Sequence, residues 1–397
     1  MSLCCLFRYR FIFPAILLGL APFFSVADSR SILSSLIASA PPQIEAEVYM
    51  LVDAESNMVI AGKNIDEPYP PASLTKLMTT YLLEQEITKG HIQLEDQVYV
   101  SEKAWRTKGS RMFIEVDTRV SVEDLLKGIV IQSGNDASIA IAEFIGGTEA
   151  EFVGLMNQQA RRLGMLHTAY KNATGLPEPG HYATAYDLAI LSRAIIYDFP
   201  ELYRIYAEKN YTYNDIKQRN RNLLLWRDPS VDGLKTGHTE ESGYNMIASA
   251  KRGDMRLISI ILGAKSEQER ARMSQKLLDY GFRYFDSYQL YQAGTQFHQA
   301  EVWLGEQNQV MLGIQEDMQL TLPKGSASSV QIQVKTTKEL HAPLAQGQVF
   351  GEVVVKLKDQ VIATSPLVAF HDVAEAGFMK KIWHRFKLML RSLWADA

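Results

Sequence analysis

Two pairs of short runs, far apart in the chain, carry the alternation of apolar and polar positions expected of β-strands. Glu47 to Asp53 and Met58 to Gly62 are parted by Ser56-Asn57, which predicts a hairpin. Tyr244 to Ala250 and Met255 to Leu262 flank Arg252-Gly253-Asp254, which predicts a second, Ile-rich hairpin. Between these pairs the apolar spacing turns helical. Ser121-x-x-Asp124, Thr148-x-x-Glu151 and Thr184-x-x-Asp187 each set a capping side chain and an acid ahead of an amphipathic stretch, so three helices should begin there. Gly164 and Pro200 supply stops. The predicted organisation of residues 28–288 is a mixed α/β (α+β) domain. Strands from its two ends pair in one antiparallel sheet, and a helical lobe is inserted between them.

Beyond about Tyr291 the pattern becomes all-β. Met318 to Leu322, Val330 to Val334 and Glu352 to Thr364 alternate or run β-branched, with turns at Pro323-Lys324-Gly325 and Lys358-Asp359-Gln360. A small β-sandwich over residues 289–375 is expected, and it carries no catalytic cluster. Residues 376–397 form a third pattern. Phe378, Met379, Ile382, Trp383, Phe386, Met389, Leu390, Leu393 and Trp394 share one face of a helix, while Lys380, Lys381, Arg385, Lys387 and Arg391 take the other. This is too charged to cross a bilayer but suited to lying on an anionic membrane surface; the competing expectation is a helix docked on the β domain.

Composition changes the picture in three places. At 397 residues and 47% hydrophobic, the chain can build two or three domains. A net charge of −4 argues against nucleic acid as a partner. Arg8 and Arg10, the apolar run from Phe11 to Phe24 and the small residues Ser25-Val26-Ala27 read as an export signal over residues 1–27, too short in its apolar part to span a bilayer. Both cysteines, Cys4 and Cys5, fall within that signal, so the exported chain would have neither a disulfide nor a thiol nucleophile. The eight histidines include no His-x-x-x-His pair on a predicted helix, and no metal or other cofactor is expected.

The candidate chemistry lies in three motifs. Ser73-x-x-Lys76 follows Pro70-Pro71-Ala72 and should open a helix, which sets the lysine amine one turn from the serine hydroxyl. A lysine can act as the base for serine only if burial or another cation lowers its pKa, and Lys235 is the candidate cation. Ser133-Gly134-Asn135 sits between two helices, where the Ser133 hydroxyl could relay a proton and the Asn135 amide could bind a substrate peptide. Lys235-Thr236-Gly237-His238 reads as an edge strand along a cleft. Lys235 and Thr236 would grip a carboxylate, and Gly237 would let a ligand backbone approach. The amides of Ser73 and His238 could form an oxyanion hole, with the His238 ring as a cleft wall. The domain organisation predicts that the first and last motifs face each other from opposite walls.

Ser-x-x-Lys, Ser-Asp-Asn and Lys-Thr-Gly belong to penicillin-binding proteins and class A β-lactamases, and the middle motif here carries Gly134 where that spelling has Asp. The longer strings Pro71-Ala72-Ser73-Leu74-Thr75-Lys76, Gln132-Ser133-Gly134-Asn135-Asp136-Ala137 and Val231-Asp232-Gly233-Leu234-Lys235-Thr236-Gly237-His238-Thr239 resemble the low-molecular-mass penicillin-binding proteins of the D-alanyl-D-alanine carboxypeptidase (peptidase S11) type. His341-Ala342-Pro343-Leu344 is similar to their β domain. The resemblance implies a transpeptidase-like catalytic fold and hydrolysis of the terminal D-Ala of peptidoglycan stem pentapeptides through an acyl-enzyme on Ser73. It also implies covalent inhibition by β-lactams and a periplasmic location at the outer face of the inner membrane. Arg221, in Asn220-Arg221-Asn222, matches the family arginine that helps hold the substrate carboxylate.

Alternatives within and beyond this chemistry remain. A class A β-lactamase needs a Glu-x-x-Leu-Asn segment between the second and third motifs; Asn172-Ala173-Thr174-Gly175-Leu176 stands there instead, so slow release of bound drug is expected, with Lys76 the candidate deacylation base. A DD-endopeptidase would use the same residues. A non-catalytic peptidoglycan-binding scaffold would need neither Ser73 nor Lys76.

Overall fold

The computed structural model describes residues 40–337 and 339–395. The expected export signal and both cysteines lie outside the described residues.

Strands β1 (Val48–Asp53) and β2 (Val59–Lys63) form the first hairpin, closed by Asn57 at positive φ. After a helical lobe come β3 (Val231–Thr239), β4 (Gly243–Arg252) and β5 (Met255–Ala264). The order across the sheet is β2-β1-β5-β4-β3, antiparallel throughout, and β1 joins the two ends of the domain by pairing with β5 in the register Val48↔Leu262 to Asp53↔Leu257. The β4–β5 hairpin turns on Gly253, whose positive φ such a tight two-residue link demands. The fold is thus the expected α/β arrangement.

Side chains on the sheet alternate between two apolar layers. Met50, Val52, Ile258 and Ile260 face the helical lobe, while Leu51, Leu257 and Ile261 face the opposite side. The lobe contains α1 (Lys76–Thr88), α2 (Val122–Lys127), α3 (Asn135–Gly146), α4 (Glu149–Arg162) and α5 (Ala185–Asp198). The three predicted caps form: Ser121, Thr148 and Thr184 side chains accept from the amides of Asp124, Glu151 and Asp187 at 3.1, 3.2 and 3.1 Å. Helix α1 is buried on all sides from Lys76 to Glu84, because it passes between sheet and lobe. The other face of the sheet is covered by α6 (Glu267–Tyr284), whose Leu277 and Leu278 are fully buried. No element was expected here, although Ser266, which accepts from the Glu269 amide at 3.2 Å, repeats the capping pattern seen in the lobe.

The chain leaves α6 directly into β6 (Phe285–Tyr291), so the change of character expected between residues 288 and 289 falls inside a strand. The β-rich part continues as β7 (Gln296–Trp303), β8 (Gln309–Gly313), β9 (Met318–Pro323), β10 (Val330–Thr336), β11 (Leu340–His341), β12 (Val349–Leu357) and β13 (Gln360–Ala369). A six-stranded sheet, β10-β12-β13-β8-β7-β11, packs with the β6–β9 pair. One apolar cluster runs from Leu51 and Leu257 of the first sheet through Phe285 to Leu320 and Leu322. Polar groups reinforce that junction: the Ser287 hydroxyl donates to the Asp53 carboxylate, and the Ser56 and Thr321 hydroxyls lie 2.6 Å apart.

The chain closes in α7 (Phe378–Ala395). Phe378, Met379, Ile382, Trp383, Phe386 and Met389 are exposed, whereas His384 is buried against Trp303 and accepts from the Leu304 amide at 2.8 Å. The helix therefore meets the β-rich part through His384 and through Lys380, Lys381 and Arg391, which reach the Glu306 carbonyl and the Glu375 and Glu301 carboxylates, and leaves the apolar side chains named above uncovered. The side chains of Leu390, Leu393 and Trp394 lie outside the described set.

Candidate active site

Ser73 sits in a single 3₁₀ turn, Ala72–Thr75, that runs into α1. Ala72 takes positive φ, a strained choice for a residue with a Cβ. The sheet holds the turn in place. Asn245 on β4 donates through Nδ2 to the carbonyls of Pro70 (3.2 Å) and Pro71 (3.4 Å), while its Oδ1 accepts from the Gly263 amide at 2.9 Å. Gly237 of β3 lies against the same turn: a Cβ there would sit 3.1 Å from the Pro71 oxygen and 3.1 Å from the Ser73 nitrogen. This corrects two expectations. The first and last motifs adjoin on one wall and do not face each other, and the missing Gly237 side chain makes room for the Ser73 turn.

Lys76 lies one turn on, fully buried, with Nζ donating to Ser73 Oγ at 3.0 Å and to the Thr174 carbonyl at 2.5 Å. Its pKa is lowered to about 7, by burial first and by the Arg221 guanidinium second, with the Asp136 carboxylate opposing both. Lys235 was the expected cation, so the structure shifts that role to desolvation first and Arg221 second. Lys235 is itself buried and held well below its ordinary pKa, by burial and then by Lys76, Arg221 and Arg270.

The second motif closes the cleft from the lobe. A π-helical turn, Gly128–Gln132, ends with Ser133 in the left-handed region, which aims its hydroxyl at Lys235; the Nζ to Oγ distance is 2.8 Å. Asp136 pins this corner by accepting from the amides of Met112, Phe113, Ile114 and Ala137. A Cβ on Gly134 would stand 2.8 Å from Asp136 Oδ1, which explains glycine at that position. Asn135 lines the cleft with one N–H committed to the Lys108 carbonyl at 2.6 Å.

The cleft has a volume of about 320 Å³. Ser73, Ser133, Asn135, Arg221, Thr236, Gly237 and His238 line it together, with Lys76 and Lys235 beneath. Arg221 donates to Ser110 Oγ at 2.7 Å, and the His238 ring lies 3.9 Å from that of Tyr244. Three contributors were not foreseen. Arg270, on the unpredicted α6, is buried, donates to the Gly237 carbonyl at 3.2 Å and adds a cation beside Arg221; burial lowers its pKa to about 10. Asn245 was counted only as a strand residue, though a buried amide in an apolar run is itself a signal. The third is the backbone at Thr174-Gly175, where a Cβ on Gly175 would fall 1.8 Å from the Ala72 oxygen. Among the described residues no group of three or more His, Cys, Asp or Glu side chains could hold a metal.

A serine with a partly neutral lysine beside it, at the foot of a helix packed on an antiparallel sheet, defines a serine hydrolase of the penicillin-recognising class. Residues 35–266 match the D-alanyl-D-alanine carboxypeptidase family, Peptidase S11, and residues 285–375 match the C-terminal domain of penicillin-binding protein 5. The chain belongs to the D-alanyl-D-alanine carboxypeptidase family. It is 43% identical over 350 residues to D-alanyl-D-alanine carboxypeptidase DacC of Escherichia coli strain K12, covering 86% of this chain and 88% of that one. Among solved structures it is similar to penicillin binding protein 5 from Haemophilus influenzae, with 42% identity, 85% of this chain and 100% of that chain covered, and a TM-score of 0.81. Penicillin-Binding Protein D2 from Listeria monocytogenes, in its ampicillin-bound form, shares 30% identity over 62% of this chain and 100% of that one, with a TM-score of 0.57.

Proposed function

We propose that this serine-type D-Ala-D-Ala carboxypeptidase uses Ser73 as nucleophile, Lys76 as its base and Ser133 as proton relay to remove the terminal D-alanine of peptidoglycan stem pentapeptides. The observation that carries the reading is the 3.0 Å contact between Lys76 Nζ and Ser73 Oγ, made by an amine whose pKa lies at about 7. Unprotonated Lys76 takes the Ser73 proton as Oγ attacks the D-Ala-D-Ala carbonyl. The oxyanion is met by the amides of Ser73 and His238. Collapse breaks the peptide bond, and the leaving amine collects a proton through Ser133. Water then cleaves the ester, with Lys76 again accepting a proton.

Arg221, Lys235 and Thr236 hold the terminal carboxylate, Asn135 binds the peptide, and Gly237 and His238 complete the wall. The carboxylate also favours the charged form of Lys235 at the moment it is needed. β-Lactams acylate the same serine. The decisive assay is release of D-alanine from a pentapeptide ending in D-Ala-D-Ala. The chain should release one equivalent per peptide, and Ser73→Ala should lower kcat by at least about a thousandfold. Near-normal release by Ser73→Ala would remove the reading.

Residues 1–27 we read as an export signal, residues 28–288 and 289–375 as the catalytic and β domains, and residues 376–397 as a peripheral anchor on the outer face of the inner membrane. The uncovered apolar face of α7 supports the anchor, and no helix of the described residues is long and apolar enough to cross a membrane. Removing residues 378–397 from the mature chain should abolish sedimentation with anionic vesicles and leave D-alanine release within about twofold. Undiminished sedimentation of the truncated chain would contradict the anchor.

A further inference from the structure

His181 is buried behind the Ser73 turn, with its Nε2 2.8 Å from the hydroxyl of Thr75. Thr75 is itself fully buried and stands between Ser73 and Lys76 in the chain. On the other edge of the ring, Nδ1 accepts from the Lys171 amide at 3.3 Å. Burial first, then Lys171 and Lys76, lowers the His181 pKa to about 4, so the ring is neutral near pH 7. A neutral imidazole that accepts at Nδ1 carries its proton on Nε2, and the ring therefore donates to Thr75 Oγ1.

That hydrogen bond bears on a strained piece of backbone. Ala72, in the same turn, has positive φ, a conformation that persists only where the surroundings over-determine it. Asn245 holds the entrance to the turn through the carbonyls of Pro70 and Pro71, and His181 holds its exit through Thr75. The imidazole is firmly mounted. The His181 amide donates to the Glu178 carbonyl at 3.0 Å, Tyr182 and Ala169 exchange hydrogen bonds of 3.0 and 2.9 Å, and Ala183 and Tyr69 exchange a pair at 3.0 Å. The ring of Tyr170 meets the imidazole edge-on at 5.9 Å. Through Tyr69, the backbone that carries His181 is tied to the segment that leads into Pro70, so both ends of the turn are referred to one frame. Residues 171–181 thus reach two adjacent residues of α1 and its leading turn: the Thr174 carbonyl accepts from Lys76, and His181 donates to Thr75.

We propose that His181 is a positioning residue for acylation: its Nε2–H, acting through the Thr75 hydroxyl, sets the turn so that Ser73 Oγ and Lys76 Nζ stay within hydrogen-bond reach. The proposal rests on the reading of Ser73 as nucleophile and Lys76 as its base, and adds the group that holds the two in place.

Acylation by a labelled penicillin, followed over a range of drug concentrations, separates the acylation rate constant from the dissociation constant. His181→Phe fills the space without the donor and should lower the rate constant about tenfold, the loss expected for one buried hydrogen bond, while the dissociation constant stays within about twofold. His181→Gln keeps an Nε2–H donor, though not the acceptor for Lys171, and should recover most of that loss. Thr75→Val removes the acceptor at nearly constant volume and should also cost about tenfold; T75V/H181F should lose no more than the larger single loss, because both substitutions break one contact. A ring that merely fills space gives the reverse order, with His181→Phe near normal and His181→Gln impaired, and that result overturns the proposal, as do a normal rate for Thr75→Val or losses that multiply. Should the His181 variants fail to fold, Thr75→Val and the unaltered chain decide: 15N chemical shifts from pH 6 to 8 should show His181 neutral with its proton on Nε2, and the other tautomer overturns the proposal. Absence of label on Ser73 in the unaltered chain overturns the nucleophile reading itself; a labelled Ser73 with unaffected variants overturns the role of His181 alone.

Discussion

Lys76 can take a proton near neutrality because it has lost its water and has gained only partial compensation. It keeps the Ser73 hydroxyl and the Thr174 carbonyl as acceptors, and both are uncharged. Acylation should therefore rise as pH climbs through about 7, where the amine loses its proton, and level off above. Arg221 contributes to that low value, so Arg221→Gln should raise the Lys76 pKa and move the rising limb to higher pH. The same change removes a cation from the carboxylate end and should lower kcat/KM by about 10- to 100-fold, the range expected when a hydrogen bond to a charged group is lost. Acylation rates measured from pH 5 to 9 check both parts; an unmoved limb would mean that burial alone sets the Lys76 pKa. Ser73, Lys76, Ser133 and Lys235 could be named from the chain because their spacing and order are local text. Arg270 and Asn245 could not be tied to the site: their partners, Gly237 and Pro70 to Pro71, lie 33 and about 175 positions away along the chain.

At the scale of elements, the hairpins and capped helices were readable because each rests on side chains within a few positions of one another. Helix α6 escaped although its signal is local: Ser266 caps it and Ala271, Met273, Leu277, Leu278 and Tyr280 recur at helical spacing, but Arg270 and Ser274 lie on the same buried side and thin the apolar stripe. The opposed-wall expectation failed for a different reason: strand order in a sheet depends on long-range pairing, here β1 with β5. Helix α1 shows what such burial costs. Glu84, fully buried at its C-terminal half, accepts from the Tyr206 hydroxyl at 2.8 Å, and burial pushes its pKa up to about 8. A folded pKa above the unfolded value means that the folded chain holds this proton longer. The associated stability is fully present below about 4.5 and is lost as pH rises through about 8. Glu84→Gln should flatten the decline in stability across that window and leave the mutant more stable than the unaltered chain at pH 9, by a few kcal/mol in order of magnitude. Urea unfolding from pH 5 to 9 measures this, and parallel curves for the two proteins would contradict it.

For the molecule as a whole, the parts divide the labour along the chain. The sheet and lobe hold the Ser73 turn between Asn245, Gly237 and the Thr174-Gly175 backbone; the β-rich part is joined to the far face of that sheet through Leu51, Phe285 and Leu320, away from the cleft. The terminal helix is tied to the β-rich part through His384 and through Lys380, Lys381 and Arg391, which meet the Glu306 carbonyl and the Glu375 and Glu301 carboxylates. The account turns on Ser73 as the acylated atom. Brief exposure to a labelled penicillin, followed by proteolysis and mass spectrometry, tests that most directly. The predicted result is one adduct per chain on the peptide bearing Ser73, slow to leave because no glutamate-activated water is positioned by a lactamase-type segment, and absent from Ser73→Ala. An adduct on another peptide, or equal labelling of Ser73→Ala, would contradict the account.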